Sequence, residues 1–318
     1  MKASVCTGYG SPDNIQIQEV PRPAPGPDEV LVRVHATTVS SADDRILRAS
    51  PPLIRVAYGL RKPRKAIFGS SFSGLVEQVG AEVTRFAAGD RVFGTTDTKL
   101  GTHAEYMKIK EDGLIFPLPE GIEFEQAACI PFGFSTALFF LRKAKVGSGQ
   151  KVLVVGAAGA LGSAGVQLAR HFGASVVGVC GQDDKDLVES LGAAETMDYR
   201  SVASKDYGSD YDVVFDTAGK IPIGQVKALL NQGGRYVSAV HISPPRVLKG
   251  LWVSLASGRK VSGGISVEKK DDLDLLAGLV AAGEIEPVIG EGFEFAEIAQ
   301  AYGLFREGRR TGNTLVRL

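Results

Sequence analysis

Two rhythms of hydrophobic and polar positions divide this chain. Up to about residue 120 the apolar residues come in short runs that predict strands and turns. Val30-Leu31-Val32-Arg33-Val34-His35-Ala36 alternates before a polar Thr/Ser stretch, and residues 74–80 and 90–94 are short strand-like pieces punctuated by glycine. The segment Pro21-Arg22-Pro23-Ala24-Pro25-Gly26-Pro27 is restricted to extended or turn conformations. This half is expected to be antiparallel and barrel-like, without helices of any length.

From about residue 123 the pattern changes. Residues 124–143 carry apolar positions at helical spacing, interrupted by Pro131, which predicts two helical pieces meeting at a turn. Strands are then expected at 151–155, 175–180, 195–199, 212–216, 234–239 and 261–266, with helices at 163–172 and 185–191. Apolar strands alternating with helices imply a parallel sheet covered on both faces. The last fifty residues predict helices at 271–282 and 295–306 and a final strand at 314–318. That tail is too short to stand alone, so the expected α/β architecture has three parts. Residues 1–122 form one domain, 123–265 an inserted domain, and 266–318 a return to the first.

Composition narrows the picture. The 318 residues hold 36 Lys plus Arg and 36 Asp plus Glu, a net charge of zero, which argues against a global pull on nucleic acid or acidic lipid. The basic stretch Arg61-Lys62-Pro63-Arg64-Lys65 reads as a solvated loop. Cys6, Cys129 and Cys180 make neither a disulfide framework nor a CxxC metal pair. No uninterrupted apolar run reaches the roughly 18 residues of a membrane span, and the first residues lack signal-peptide order. A cytoplasmic protein is expected, with no membrane partner.

The most informative chemistry lies between the first strand and first helix of the inserted domain. There Val155-Gly156-Ala157-Ala158-Gly159-Ala160-Leu161-Gly162-Ser163 places glycines where helix-start N–H groups can receive a pyrophosphate. Gly159 allows close approach of the ligand, and Gly162 close packing of helix on strand. The end of the second strand reads Cys180-Gly181, without the acidic residue that usually accepts from the ribose of NAD. Lys185 can supply positive charge and Tyr199 a hydroxyl there. Asp183 and Asp184 oppose a phosphate unless they serve as helix caps. NADP(H) is therefore preferred over NAD(H).

In addition, the series Gly69-Ser70-Ser71-Phe72-Ser73-Gly74, Gly89-Asp90-Arg91-Val92-Phe93-Gly94, Gly101-Thr102-His103-Ala104-Glu105-Tyr106, Ala127-Ala128-Cys129-Ile130-Pro131 and Ser135-Thr136-Ala137 resembles the medium-chain dehydrogenase/reductase superfamily. Within it, the chain is most similar to the zinc-free quinone oxidoreductase branch that includes zeta-crystallin. The resemblance implies a GroES-like β-barrel-type catalytic domain with an inserted Rossmann doubly wound parallel-sheet domain. It also places the zinc-ligand positions of the metal-dependent members at Ser40, Ser70 and Phe132, where hydroxyls and a phenyl ring replace thiolate and imidazole. His35, His103, His171 and His241 are scattered, so no zinc is expected.

By the same resemblance the acceptor side of the cleft is lined by Val39-Ser40-Ser41-Ala42-Asp43, followed by a loop containing Tyr58, and Ser40, Asp43 and Tyr58 are the catalytic candidates. A buried structural hydrogen bond is the competing role for Asp43, and packing for Tyr58. The cofactor candidates are Thr136, Gly156, Ala158, Gly159, Ala160, Leu161, Gly162, Gly181, Lys185, Tyr199, Ala218, Gly219, Val240, Ile242 and Asn313. The implied activity is an NADPH-dependent reductase of quinones or of activated alkenes and carbonyls, working as a homodimer. An NAD(P)H-binding protein with a structural or RNA-binding role and an NAD-linked alcohol dehydrogenase are the alternatives.

Overall fold

In the computed structural model, residues 1–200, 207–239, 250, 254, 257–308 and 310–318 are described. They fall into two units, Met1–Phe132 with Lys269–Leu318, and Gly133–Glu268.

The first unit pairs β1 (Lys2–Cys6) antiparallel with β2 (Ile15–Glu19) and builds a seven-stranded sheet around β3 (Glu29–Val39). One edge of β3 pairs with β4 (Ser71–Val79), which leads on to β5 (Arg91–Thr95) and β7 (Leu114–Pro117). Its other edge is shared. The start of β3 pairs with β6 (Tyr106–Lys110) and its end with β15 (Asn313–Arg317), all antiparallel. Alternation along β3 drives Val30, Val32 and Val34 into a cluster with Phe72, Val76, Val92, Met107 and Ile115. Each such side chain contributes about 1.5–3 kcal/mol on burial.

Three features depart from the sequence-based expectation here. The first 120 residues do contain helices, α1 (Ser41–Arg48) and α2 (Ile54–Tyr58). With eight and five residues they are too short to display a helical period, and α1 is set by its cap rather than by an apolar stripe. A strand, β14 (Ile289–Glu294), pairs parallel with β15. Its Gly290 and Gly292 break any alternation, and an edge strand exposes most of its residues. Finally, α3 (Phe124–Ala144) is one helix running through Pro131. Ala127, Ala128, Cys129, Ile130, Phe134, Leu138 and Leu141 along it are buried, which outweighs the roughly 3 kcal/mol cost of an internal proline. Among the described residues α3 is the helix long and apolar enough to cross a membrane, and its apolar window is 72% buried within the protein.

The second unit is a six-stranded, all-parallel sheet. Its strands are β8 (Lys151–Val155), β9 (Ser175–Cys180), β10 (Glu195–Asp198), β11 (Tyr211–Asp216), β12 (Leu230–Ser238) and β13 (Lys260–Gly263), in the order β10-β9-β8-β11-β12-β13. Helices α4 (Ala160–His171), α5 (Lys185–Ser190) and α6 (Val226–Leu229) lie between the strands in sequence. Continuous burial of Val152 to Val155 and Val213 to Phe215 is what a sheet covered on both faces requires. The chain reverses direction across the sheet between β8 and β11. In such sheets the crevice outside the carboxyl ends of the two strands at that point is where ligands bind. The C-terminal residues α7 (Lys270–Ala281) and α8 (Ile298–Glu307) belong to the first unit, where Ile298, Ala301 and Tyr302 join a cluster with Ile46, Leu47 and Val316.

Candidate functional site

At the switch point, the turn after β8 is held by a small number of contacts. Gly156 adopts φ +80°, and the N–H groups of Gly156 and Ala157 both donate to Val179 O at 2.9 Å. The chain then enters α4 at Gly159, whose position as N-cap provides no side-chain cap. The N–H groups of Ala160, Leu161 and Gly162 have no acceptor within the helix, because the first intrahelical bond runs from Ser163 N to Gly159 O at 2.8 Å. No acidic residue stands in this first turn. A Cβ on Gly162 would lie 1.9 Å from Gly156 O, so helix and turn approach only because it is absent. Uncapped donors at a helix start, with no side chain at Gly159, fit the pyrophosphate of a dinucleotide.

The neighbouring strand ends complete this rim. Cys180 closes β9, and burial first, then the Asp184 charge, push its thiol up to about 11. Gly181 follows it, with Tyr199 folded back so that its N–H donates to Cys180 O at 3.1 Å. Lys185 is the first residue of α5 and half-buried. The expected capping role for Asp184 is not observed. It occupies the N-cap position of α5 but its side chain makes no cap hydrogen bond, since a preceding 3-10 turn (Gln182–Asp184) already supplies the acceptor for Lys185 N–H.

Two residues that the sequence reading missed take part. Arg200 Nε donates to Tyr199 Oη at 3.3 Å, and its guanidinium lies 5.3 Å from the Tyr199 ring centre. Asp216, fully buried at the end of β11, accepts from Gly219 N at 2.7 Å, Lys220 N at 3.2 Å, Ile221 N at 2.9 Å and Tyr236 Oη at 2.9 Å. That carboxylate fixes the turn carrying Ala218 and Gly219, and Thr217 Oγ1 ties it to Val155 O at 2.7 Å. An acidic residue closing an apolar strand before Thr-Ala-Gly was the available signal.

The structure therefore gathers Gly156, Ala158, Gly159, Ala160, Leu161, Gly162, Gly181, Lys185, Tyr199, Ala218 and Gly219 along the carboxyl edge of the sheet. Thr136 sits on α3, with its hydroxyl 3.2 Å from Ser266 Oγ, and makes no hydrogen bond to the glycine turn among the described residues. Val240 and Ile242 lie outside the described residues. Asn313 belongs to the first unit and is nearly buried, and its amide nitrogen donates to Val288 O at 2.9 Å.

In the first unit, Ser40 and Asp43, both candidates for the acceptor side, bond to each other. Ser40 N–H and Oγ donate to Asp43 Oδ2 at 2.8 and 2.6 Å, and Asp43 N–H donates back to Ser40 Oγ at 3.3 Å. Gly69 N–H fills Asp43 Oδ1 at 3.1 Å. This reciprocal cap starts α1 and leaves a carboxylate only 1% exposed, without a face for a substrate. Behind it the fully buried His103 places Nε2 3.1 Å from Thr38 O and Nδ1 3.3 Å from Tyr302 Oη. A carbonyl facing Nε2 requires the proton on that nitrogen, so Nδ1 accepts from the tyrosine. Burial, against the opposing pull of Asp43, lowers the His103 pKa and keeps the ring neutral. Tyr58 is half-buried against the same cluster. Burial, then the charges of Asp43 and Asp97, raise its pKa, so its hydroxyl is held as a proton donor.

Of the positions aligned with zinc ligands, Ser40 has its hydroxyl committed to Asp43, while Ser70 and Phe132 offer no thiolate, imidazole or carboxylate. This donor set does not fit zinc. Among the described residues no group of three His, Cys, Asp or Glu side chains is gathered to hold a metal ion.

Two outcomes follow from this geometry. Asp216→Ala removes the acceptor of four donors, of which Ile221 N–H and Tyr236 Oη are buried, so urea unfolding should show a loss of about 3 kcal/mol or more. His103 binds a proton near pH 6.5 when unfolded but only at lower pH when folded. Its contribution is therefore present above pH 6.5 and is lost as the pH falls, at up to about 1.4 kcal/mol per pH unit. Urea midpoints measured from pH 7 to pH 5 should fall less steeply for His103→Gln, and an unchanged slope would contradict a buried neutral ring.

Comparison with known proteins places the chain. Residues 26–120 match the family described as alcohol dehydrogenase GroES-like domain, and residues 191–316 match the one described as zinc-binding dehydrogenase. The chain is similar to a quinone oxidoreductase of Pseudomonas aeruginosa, with 32% identity covering 97% of each protein. It is 28% identical to the chloroplastic NADPH-dependent alkenal/one oxidoreductase of Arabidopsis thaliana, over 99% of this chain and 79% of that protein. The solved structure of the quinone oxidoreductase from Coxiella burnetii matches with a TM-score of 0.89 at 26% identity, covering 100% of this chain and 99% of that one. With its GroES-like first unit and its parallel sheet reversing at an open helix start, this chain belongs to the medium-chain dehydrogenase/reductase superfamily of oxidoreductases, in the quinone oxidoreductase branch.

Proposed function

We propose that this protein reduces quinones, or activated alkenes and carbonyls, with NADPH and without zinc. The observation that carries the reading is the uncapped start of α4, pressed against the end of β8 at the switch point of the sheet. The N–H groups of Ala160, Leu161 and Gly162 hold the pyrophosphate, and the turn braced by Asp216 brings Ala218 and Gly219 beside it. NADPH, when bound, supplies the hydride. At the ribose end Cys180 and Gly181 present no carboxylate to a 2′-phosphate, while Lys185 and Arg200 supply cations and Tyr199 a hydroxyl. Asp184 and Asp198 also act on this corner, so the preference for NADPH rests on the two cations outweighing them. The name of the Arabidopsis relative supports the same choice.

On the acceptor side a Lewis acid is not needed. A quinone or conjugated carbonyl is already electron-poor, and the oxyanion that develops on reduction requires only hydrogen-bond donors. Tyr58, which keeps its proton, is the donor we assign, and Ser40 and Asp43 act by setting the helix start that leads into its loop.

Steady-state NADPH oxidation with a panel of quinones and enones tests the activity. Turnover should persist after metal chelation, and absence of turnover with every acceptor despite tight NADPH binding would overturn the reading. Gly159→Val puts a branched side chain in the pyrophosphate approach and should weaken NADPH binding by about 100-fold or more in a fluorescence titration. Lys185→Ala and Arg200→Ala should each weaken NADPH by about tenfold and leave NADH unchanged, whereas equal losses for both coenzymes would rule out a 2′-phosphate contact.

A further inference from the structure

The stretch between α1 and β4 holds more than Tyr58. Its helix α2 turns Ile54 and Tyr58, four residues apart, onto the apolar cluster of the first unit. Leu53, Val56 and Leu60 point away from that cluster and are 73%, 61% and 68% exposed. Interleaved with them and following them are Arg55, Arg61, Lys62, Arg64 and Lys65, all exposed, and residues 51–65 contain no Asp or Glu. The segment thus carries five cations in a chain whose net charge is zero. The buried Asp43 and, from the adjoining turn, Asp97 are carboxylates that act on its Tyr58, which still leaves a cationic excess.

The segment is pinned. Arg64 N–H donates to Tyr58 O at 2.7 Å, Tyr9 Oη to Gly59 O at 2.7 Å, and Lys65 Nζ to Thr98 O at 3.3 Å, while Pro63 is buried beneath. The exposed aliphatic side chains are therefore displayed by a braced loop.

We propose that residues 51–65 are an interfacial docking segment for an anionic phospholipid surface. Cations alone are satisfied by water, and aliphatic residues alone would be covered by the protein. Together they match the boundary of a bilayer, where aliphatic side chains enter the acyl edge and Lys and Arg reach the headgroup phosphates on flexible stems. RNA would use the cations and stack on aromatic rings, but it has no use for three exposed aliphatics. The zero net charge does not oppose this, because screening confines the relevant field to roughly 8 Å at physiological salt. The inference stands apart from the reductase reading, since partition rather than turnover reports it.

The test is sedimentation of the full chain with vesicles of phosphatidylcholine alone or mixed with phosphatidylglycerol, at about 0.1 M salt. Binding should be at least about tenfold stronger to the anionic vesicles and should be lost near 0.5 M salt. The combined variant Leu53→Ser, Val56→Ser, Leu60→Ser and the combined variant Arg61→Gln, Lys62→Gln should each weaken it by about tenfold or more. Melting temperature and NADPH titration, run in parallel, should match the unsubstituted protein, because none of these side chains packs in the core. Absence of sedimentation with either vesicle would overturn the proposal. So would sedimentation that the aliphatic substitutions leave intact, or binding to a single-stranded RNA oligonucleotide without binding to vesicles.

Discussion

A Cβ on Gly162 would stand 1.9 Å from the carbonyl oxygen of Gly156, so α4 can lie against the end of β8 only because that side chain is missing. This close approach decides where the first N–H groups of the helix point. It places them between β8 and β11, where the strand order of the sheet reverses, the point at which such sheets bind their ligands. The rest of the rim is arranged around that contact. Asp216 spends its carboxylate on three backbone N–H groups and the Tyr236 hydroxyl, which holds the next turn against the first. Gly181 and Tyr199 close the far side.

The first unit shows the complementary strategy, in which polar side chains are buried and satisfied to position backbone. Ser40, Asp43 and Gly69 form one closed set of hydrogen bonds, and Thr38, His103 and Tyr302 form another beside it. Groups that would look reactive in a sequence are thereby spent on shape. Tyr58, half-buried nearby, has its pKa raised by burial and by the charges of Asp43 and Asp97. Reduction of an acceptor that is electron-poor from the outset asks for little more than such a donor and a correctly held coenzyme.

The architecture was legible in the amino-acid order because hydrophobic period is a local property of the chain. Val152 to Val155 is a short, β-branched apolar run closed by glycines, which fits a strand buried on both faces followed by a turn into a helix. The reading failed where the period was too short or was overridden. The capped α1 has eight residues, β14 carries two glycines, and α3 continues through Pro131 under the pull of its buried neighbours. The site was partly legible for the same reason. Glycines and strand ends announce themselves, whereas Arg200 matters through the orientation that sets it over its neighbour Tyr199, and Asp216 through Tyr236, twenty residues on.

The amino-acid order by itself determined the alternation of apolar strands and helices, the glycine turn and the missing acidic residue after Cys180, because each depends on neighbours a few positions away. Tertiary structure decided how the polar residues are used. Asp43 could not be assigned to catalysis or to a cap until Gly69, twenty-six residues on, was seen to fill its second oxygen. Nor could Leu53, Val56 and Leu60 be known as exposed until Ile54 and Tyr58 had taken the inward face. Burial and hydrogen-bond satisfaction are properties of surroundings, and the surroundings of these residues are assembled from opposite ends of the chain.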